Sequence, residues 1–505
     1  MVCRVGMRRL LALGSKAGLR KTKVAAGTLI DDFSSIAGWT IGGPGGSRAA
    51  DTDSYYDAPQ SVKVSAINGT TITKTLAVQV PVVSGDVFVI WINIRNALNV
   101  STLRLYLAED AGFTKYWFVI RQSIGVLREG PQALVIAASE FTNVGATLGN
   151  TIVQARLRID AYGPVDVSFD ALYRNRVQDV SNIVVQFDDG HATQYSEAFS
   201  YMAPRGVPGT LSIISGLVDT AGIMTLAQIQ EMHAAGWDCV NHVDTNKSFN
   251  NANDATLAGA VALSQTPASA FTINGGMASA GVATLDTPRH LVFRSSTSEA
   301  GKVFSITGTL SGVGQTEDVS APNSGWSASA KLWSTVTGIT ISAAAAGTIS
   351  VGASQSPAEI TAAIEACETY LVANGLNRAG KIIAYPNGEY NDSALSILAG
   401  KNYLEARTTF AATNSIVFGR LNTLKTPAFS PSNNTTQAAM LAEIDAAIAR
   451  KSDHRIVFHK ITASPATSIE VSITNFQAVI DYLVAKRAAG QVRLLTASQW
   501  IRASS

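Results

Sequence analysis

The sequence predicts a multidomain protein: an N-terminal antiparallel β-sandwich of jelly-roll type, a distorted (β/α) barrel, and an all-β domain inserted in a barrel loop. Three observations predict it. From about 28 to 177, apolar and polar residues alternate with a period of two. From 178 onward, short apolar runs alternate with helical patterns. Between about 264 and 353 that alternation gives way to Ser, Thr, Gly and Ala-rich sequence with short strand-like runs. A chain of 505 residues has room for about three such units. Hydrophobic residues make up 46% and charged residues 15%, which supports substantial cores and argues against long disorder. The net charge of +2 gives no electrostatic reason to expect a nucleic-acid or acidic-polymer partner.

The chain opens with a basic tail, 1–27. Its first 23 residues carry seven basic and no acidic side chains. Leu10-Leu-Ala-Leu13 is too short for a secretory core, and no span reaches transmembrane length. A solvated tail or an attachment peptide is the expectation, with a cryptic export signal as the alternative. The three cysteines, Cys3, Cys239 and Cys367, form no disulfide framework; Cys239 and Cys367 sit in apolar patterns and read as buried thiols.

In the sandwich, 28–177, Val153, Ala155, Leu157 and Ile159 alternate with Gln154, Arg156, Arg158 and Asp160. Val165, Val167 and Phe169 alternate with Asp166, Ser168 and Asp170, and Leu103, Leu105 and Leu107 repeat the pattern. Strands with one wet face, separated by Gly, Pro and Asn turns, indicate an antiparallel sandwich. It looks like a jelly-roll carbohydrate-binding module. Trp91, Tyr106, Tyr116 and Trp117 are candidates for stacking on sugar rings, with core packing as the plainer role.

The barrel unit occupies 178–263 and 354–505. Thr225-Leu-Ala-Gln228 and Ser356-Pro-Ala-Glu359 are capping-box starts, and Gly236 and Gly375 stand where C-terminal caps belong. Helices are expected near 225–235, 357–373, 435–450 and 474–488. The inserted module, 264–353, carries strand-like runs at Lys302–Gly308, Lys331–Val336 and Gly338–Ser342. A loop tolerates such an insertion because its ends can lie close together. The module looks like β modules of bacteriophage virion proteins, with packing, trimer contacts or particle attachment as its roles; His290 within it reads as structural.

Chemistry concentrates where apolar runs end. Asn182-Ile-Val-Val-Gln-Phe-Asp-Asp-Gly190 finishes in Asp188 and Asp189, and Trp237-Asp-Cys-Val-Asn-His242 finishes in His242. Lys381-Ile-Ile-Ala-Tyr-Pro386 runs into the turn Asn387-Gly388, and Arg455-Ile-Val-Phe-His459 ends in His459. Strand C-termini are where parallel α/β folds collect reacting groups, because the following loops share one mouth. Taken singly, the aspartates could cap a helix, either histidine could be a bonded core residue, and the Pro-Asn-Gly run could be an ordinary turn.

In this order, the four motifs resemble those of the polysaccharide deacetylases of carbohydrate esterase family four, over 178 to 262 and 354 to 502. The resemblance implies a barrel of the polysaccharide deacetylase type and a divalent metal, most suitably Zn2+, held by Asp189, His242 and Asn246. It implies Asp188 as the catalytic base and His459 as the general acid. It places Tyr385, Asn387, Gly388 and Arg407 at the substrate, with the Asn387 N–H on the oxyanion. The chain departs from the family pattern at three places. Asn246 stands where a second histidine is usual, Ala384 where an arginine normally braces the base, and Lys460 where an acidic residue is common. Asp244 and Arg407 are the residues positioned to compensate.

The resulting expectation is a metal-dependent hydrolase that removes acetyl groups from a bacterial surface polysaccharide. It would ride on a phage tail or tailspike-like particle among other virion proteins, as a homotrimer, acting at the host surface with neither nucleic acid nor membrane as partner. The rivals are an exported bacterial exopolysaccharide or peptidoglycan deacetylase, and a non-catalytic carbohydrate-binding virion protein with a degenerate barrel.

Overall fold

The structure, a computed structural model, describes residues 22–56, 59–122, 127–251, 261–323, 325–409 and 423–503. Most of the basic tail, 1–21, lies outside the described residues. The protein is mostly β, in several packed units.

The first unit is a sandwich of two antiparallel sheets. One orders Ser47–Asp51, Ser61–Ala66, Val165–Arg174, Val87–Arg95 and Gly130–Ala137, with Thr28–Asp31 added beside Val165–Arg174. The other orders Thr142–Val144, Tyr116–Gln122, Val100–Ala108, Thr151–Ala161, Thr70–Pro81 and Thr40–Gly42. Alternation builds the core: Leu103, Leu105, Leu107, Val165, Val167 and Phe169 all face inward and are buried. The alternation slips at one place. A register shift between Ile152 and Gln154 turns Ile152 into the core and leaves Val153 half-buried, since one extra residue exchanges the faces of a strand. Trp91 and Trp117 are buried, whereas Tyr106, Tyr116, Phe113 and Phe118 form a half-exposed aromatic group with Arg156 lying over Phe113 at 3.8 Å.

The second unit carries a parallel sheet whose strands are β1 (Ser181–Phe187), β2 (Thr210–Ile213), β3 (Asp238–Asn241), β4 (Ile382–Ala384), β5 (Glu405–Arg407), β6 (His454–Phe458) and β7 (Val492–Leu495). They are ordered β5-β4-β3-β2-β1-β6, with β7 beside the first half of β1. Every residue of β1 is buried, the polar Ser181, Asn182 and Gln186 included, as in a strand covered on both faces. Ile183, Val185 and Phe187 pack under helices α1 (Leu226–Ala234), α2 (Pro357–Ala373), α4 (Gln437–Arg450) and α5 (Ile473–Ala488), while Val184 packs on the other face with Val240, Leu495 and Trp500. α3 (Asp392–Gly400) packs beside α2. Both capping boxes form: Thr225 and Ser356 accept the N–H of Gln228 and Glu359, and those side chains reach back to the cap N–H. Gly236 and Gly375 follow the two helix ends at φ 102° and 71°, a conformation that favours glycine.

The sheet is a curled half-barrel rather than the distorted barrel expected. Among the described residues its outer strands β5 and β6 do not pair, and single parallel bridges, Thr426 to Arg407 and Phe429 to Ile456, span the gap. Pro427, between those bridges, has no N–H with which to extend the pairing.

The inserted module folds as a sheet of four strands and a sheet of five, around a core in which Phe293 and Phe304 stack at 4.3 Å. It is tied to the parallel unit. Arg289 pairs with Glu359 in the first turn of α2, Arg294 makes a two-pronged pair with Glu389, and buried His290 bonds Ser393 at 2.7 Å.

Candidate active site

Asp188 and Asp189 follow β1 directly, His242 follows β3, Arg407 closes β5 and His459 follows β6, so all five emerge at the same end of a parallel sheet. The Asp188 N–H donates to the Phe458 carbonyl at 2.9 Å, which joins the ends of β1 and β6. Gln194 then donates to the carbonyls of Asp188 and His459, fixing the two segments together.

Here the backbone is strained. Asp189 has φ 70°, Val243 φ 61° and Asn387 φ 55°. A β-branched residue is seldom found in that region, and such outliers persist only where the surroundings impose them. Val243 is held by the Asn241 side chain, which accepts its N–H at 2.8 Å, and by its carbonyl, which accepts from Ser215.

Arg407 and Asp188 form a buried ion pair. Arg407 therefore braces the carboxylate from β5, while Ala384 contributes through its backbone. Its carbonyl lies 2.8 Å from Nδ1 of His242. A proton on Nδ1 satisfies that contact and leaves Nε2 with its lone pair free, 3.4 Å from Asp189 Oδ1. Asp188 Oδ2 faces His459 Nε2 at 3.7 Å, and Asp188 Oδ1, buried, has no hydrogen-bond partner among the described residues. Arg407 Nε and Nη1 are likewise without one.

Burial alone would push the Asp188 carboxyl up, but the Arg407 guanidinium, with His242 and His459, holds it below its ordinary value. Asp189 is held down more strongly, by His191 and His242 against the same burial. Burial would lower His242, yet Asp189 and Asp188 raise it. At His459 burial wins over Asp188 and Asp189, and the imidazole sits below its ordinary value.

The remaining predicted residues make no side-chain hydrogen bond or ion pair with this group among the described residues, and Tyr385 meets it through its backbone N–H, which donates to the Arg407 carbonyl at 3.0 Å. Asn246 is exposed on a bend beyond β3, and Asp244, half-buried, offers its backbone carbonyl to Gly216. Asn387 is exposed at its turn, and Gly388 is required there: at φ 70° an added Cβ would meet Thr409 Oγ1 at 2.3 Å. Tyr385, expected at the sugar, is fully buried, with its hydroxyl donating to the Leu424 carbonyl and its ring packed on Phe249 and Tyr390. Only its backbone serves the turn. Lys460 pairs with Glu470 at 3.0 Å, so the carboxylate facing His459 is Asp188.

One residue at the site went unmarked in the sequence. His191, two positions after Asp189, brings Nε2 to 3.6 Å from Asp189 Oδ2, and that nitrogen has no hydrogen-bond partner among the described residues. Its only sequence signal is the spacing Asp189-Gly-His191. Among the described residues no group of three or more His, Cys, Asp or Glu side chains is placed to hold a metal ion.

No family model matches the chain, and no curated protein does. Solved structures do. It is similar to the deacetylase PplD of Streptococcus pyogenes, solved with acetate, at 17% identity over 52% of this chain and 69% of that one, TM-score 0.28. It is similar to a family 4 carbohydrate esterase from Streptomyces lividans, also with acetate, at 11% identity over 63% and 94%, TM-score 0.29. A family 11 carbohydrate-binding module from Clostridium thermocellum aligns at 12% identity over 31% and 96%, TM-score 0.22. These values establish no family, and the chemistry rests on the side chains. A buried carboxylate with one open oxygen, an imidazole beside it, and a second carboxylate with imidazole nitrogens at both oxygens can together move protons.

Proposed function

We propose that this chain is a divalent-metal-dependent hydrolase that removes acetyl groups from a polysaccharide. The observation that carries this reading is the meeting of Asp188, Asp189, His242, Arg407 and His459, from four strand ends, at one strained mouth. The residues that would hold a cation of the zinc class are Asp189, through its carboxylate oxygens, and His242, an imidazole whose other nitrogen is already engaged. When bound, that cation polarises the acetyl carbonyl and acidifies the attacking water.

The chain's own residues do the rest. Asp188 Oδ1 accepts the water proton as the water oxygen bonds to the acetyl carbon, with Arg407 holding the other carboxylate oxygen. His459 supplies a proton to the departing amine or alkoxide as its bond to that carbon breaks and acetate leaves. Its lowered basicity makes it a ready donor once protonated. The Asn387 N–H is the candidate donor to the oxyanion. The substrate would be an N- or O-acetylated surface polysaccharide of a bacterium. The setting would be a phage tail acting at the host surface, supported by the inserted module's resemblance to virion β modules and tested by mass spectrometry of purified particles.

Acetate release from acetylated glycans, measured with metal content, tests the reaction. Asp188→Asn should abolish release with metal retained, and His242→Ala should lose both. Activity surviving either change would remove the role assigned. Asn246 stands exposed where a second histidine ligand is usual, and this favours a second reading, a glycan-binding protein without catalysis. That reading predicts glycan binding with no acetate release at any metal loading.

A further inference from the structure

We propose that the sandwich docks an acidic polysaccharide, one whose sugars carry carboxylates, on the outer face of the sheet that holds Tyr116–Gln122, Val100–Ala108 and Thr151–Ala161; the inference rests on the polysaccharide substrate proposed above. Leu103, Leu105 and Leu107 point into the core, so Arg104 and Tyr106 between them point outward. Strand register carries that face across the sheet. Tyr106 stands opposite Phe118 on one side and Arg156 on the other, and Arg104 stands opposite Ile120 and Arg158. Tyr116, two residues before Phe118, and Phe113 in the preceding loop complete a continuous aromatic patch, with ring centroids 5.7 Å apart from Tyr106 to Tyr116 and 6.3 Å from Phe113 to Tyr116. All four rings stay partly exposed, and Ile120 beside them is 40% exposed. A contiguous apolar surface of this kind, rimmed by polar side chains, marks a place where something binds.

Charge decides the occupant. Arg104 and Arg158 face each other on neighbouring strands, a like-charge pairing that weakens a sheet unless something answers it. They share one carboxylate, Asp160, at 3.0 and 2.7 Å. Arg156 makes no ion pair among the described residues: its Nε donates to Thr73 Oγ1 at 3.0 Å, and its guanidinium lies over the Phe113 ring at 3.8 Å. Three guanidiniums thus stand against one carboxylate at the edge of the aromatic patch, a local excess that the near-neutral charge of the whole chain conceals. A sugar lays the apolar face of its ring on an aromatic side chain. A carboxylate on the same sugar meets a guanidinium through two parallel hydrogen bonds. A neutral glycan would use the rings and leave Arg156 unanswered. Single-stranded nucleic acid also stacks on such rings, but it needs a positive groove that follows the phosphates of several nucleotides, and here the excess charge is confined to one compact patch.

The test is calorimetric titration of the full chain with polygalacturonate, alginate and hyaluronan, against neutral hydroxyethyl cellulose and oligothymidylate, at low and high salt. At least one acidic glycan should bind, and more weakly as salt rises. Arg156→Ala should weaken that binding by about tenfold to a hundredfold, the worth of a hydrogen bond to a charged group, and should flatten its salt dependence. Tyr106→Ala should weaken it by about threefold to tenfold with the salt dependence kept. Melting curves should show both variants folded at the assay temperature, which separates loss of the surface from loss of fold. Equal binding of acidic and neutral glycans, unchanged binding in Arg156→Ala, or tighter binding of oligothymidylate each overturns the inference. A chain that releases acetate but binds no acidic glycan overturns it and leaves the hydrolase standing. Acidic glycan bound in this way without acetate release keeps the inference and removes the hydrolase.

Discussion

Asp188 keeps its charge in a place with almost no water because the guanidinium of Arg407, equally buried, lies against it. Desolvation of a carboxylate costs several kcal/mol, and only a close opposite charge offsets it. Removing the cation should therefore be worse than removing an ordinary core contact. Arg407→Ala is expected to lower unfolding stability by about 3 to 5 kcal/mol, the usual cost of leaving one member of a buried pair uncompensated. Denaturant melts of the two proteins measure this, and a loss under about 1 kcal/mol would mean the pair is not buried as described. The conservative Arg407→Lys keeps the charge but loses the planar fork, so it should fall between. His191 shows the same dependence on surroundings. Nothing in a turn histidine marks it as special until Asp189 is placed beside it.

At the scale of elements, the ends of the strands divide the labour. The carboxyl ends hold the charged cluster, and the amino end of β6 holds His454. That residue lines a small cavity with Thr426, Arg455 and Trp500, stacks on Phe429, and has no hydrogen-bond partner for either ring nitrogen among the described residues. Burial, with Arg450 adding to it, depresses His454 to about 4. The folded chain keeps this imidazole neutral down to that pH, while the unfolded chain protonates it below about 6.5. Stability from this site is complete above 6.5 and drains away as the pH falls toward 4. Between pH 7 and 5 the loss should be about 2 kcal/mol, and His454→Asn should flatten that part of the pH profile of stability. An unchanged acid slope in the variant would assign the loss to other groups. The elements themselves were largely legible. The apolar Ile183-Val-Val185 run of β1, the two capping boxes and the order of the strand-end motifs follow from local chemistry that the fold does not override. Facing directions were less so: Tyr385-Pro-Asn-Gly reads as a turn, yet only packing against Phe249 and Tyr390 decides that the ring turns inward. The shift beside Ile152 is likewise set by its partner strands, which a single strand's pattern does not contain.

At the scale of the whole molecule, the inserted module is coupled to the mouth of the sheet by charge. Arg294 grips both oxygens of Glu389 at 2.8 and 2.7 Å, Ser248 donates to the same carboxylate, and Glu389 lies two residues beyond Asn387. The turn carrying the candidate oxyanion donor is thus steadied from two sides, by the segment after β3 and by a module more than ninety residues away in sequence. The sandwich is tied to α4 in the same manner, through Arg450 and Arg121 on Glu140. If the module serves to position the turn, Arg294→Ala should leave Glu389 buried with one partner fewer and loosen the 386–389 segment. A charged hydrogen-bond pair of this kind is worth about 2 kcal/mol. Hydrogen exchange of the amides from Gly388 to Tyr390 should accelerate by roughly tenfold to thirtyfold for a local loss of that size, while β1 and β2 keep their protection. Equal acceleration throughout the parallel sheet would instead mean that the pair supports the fold as a whole, and unchanged exchange at the turn would show that the module is attached without steadying it.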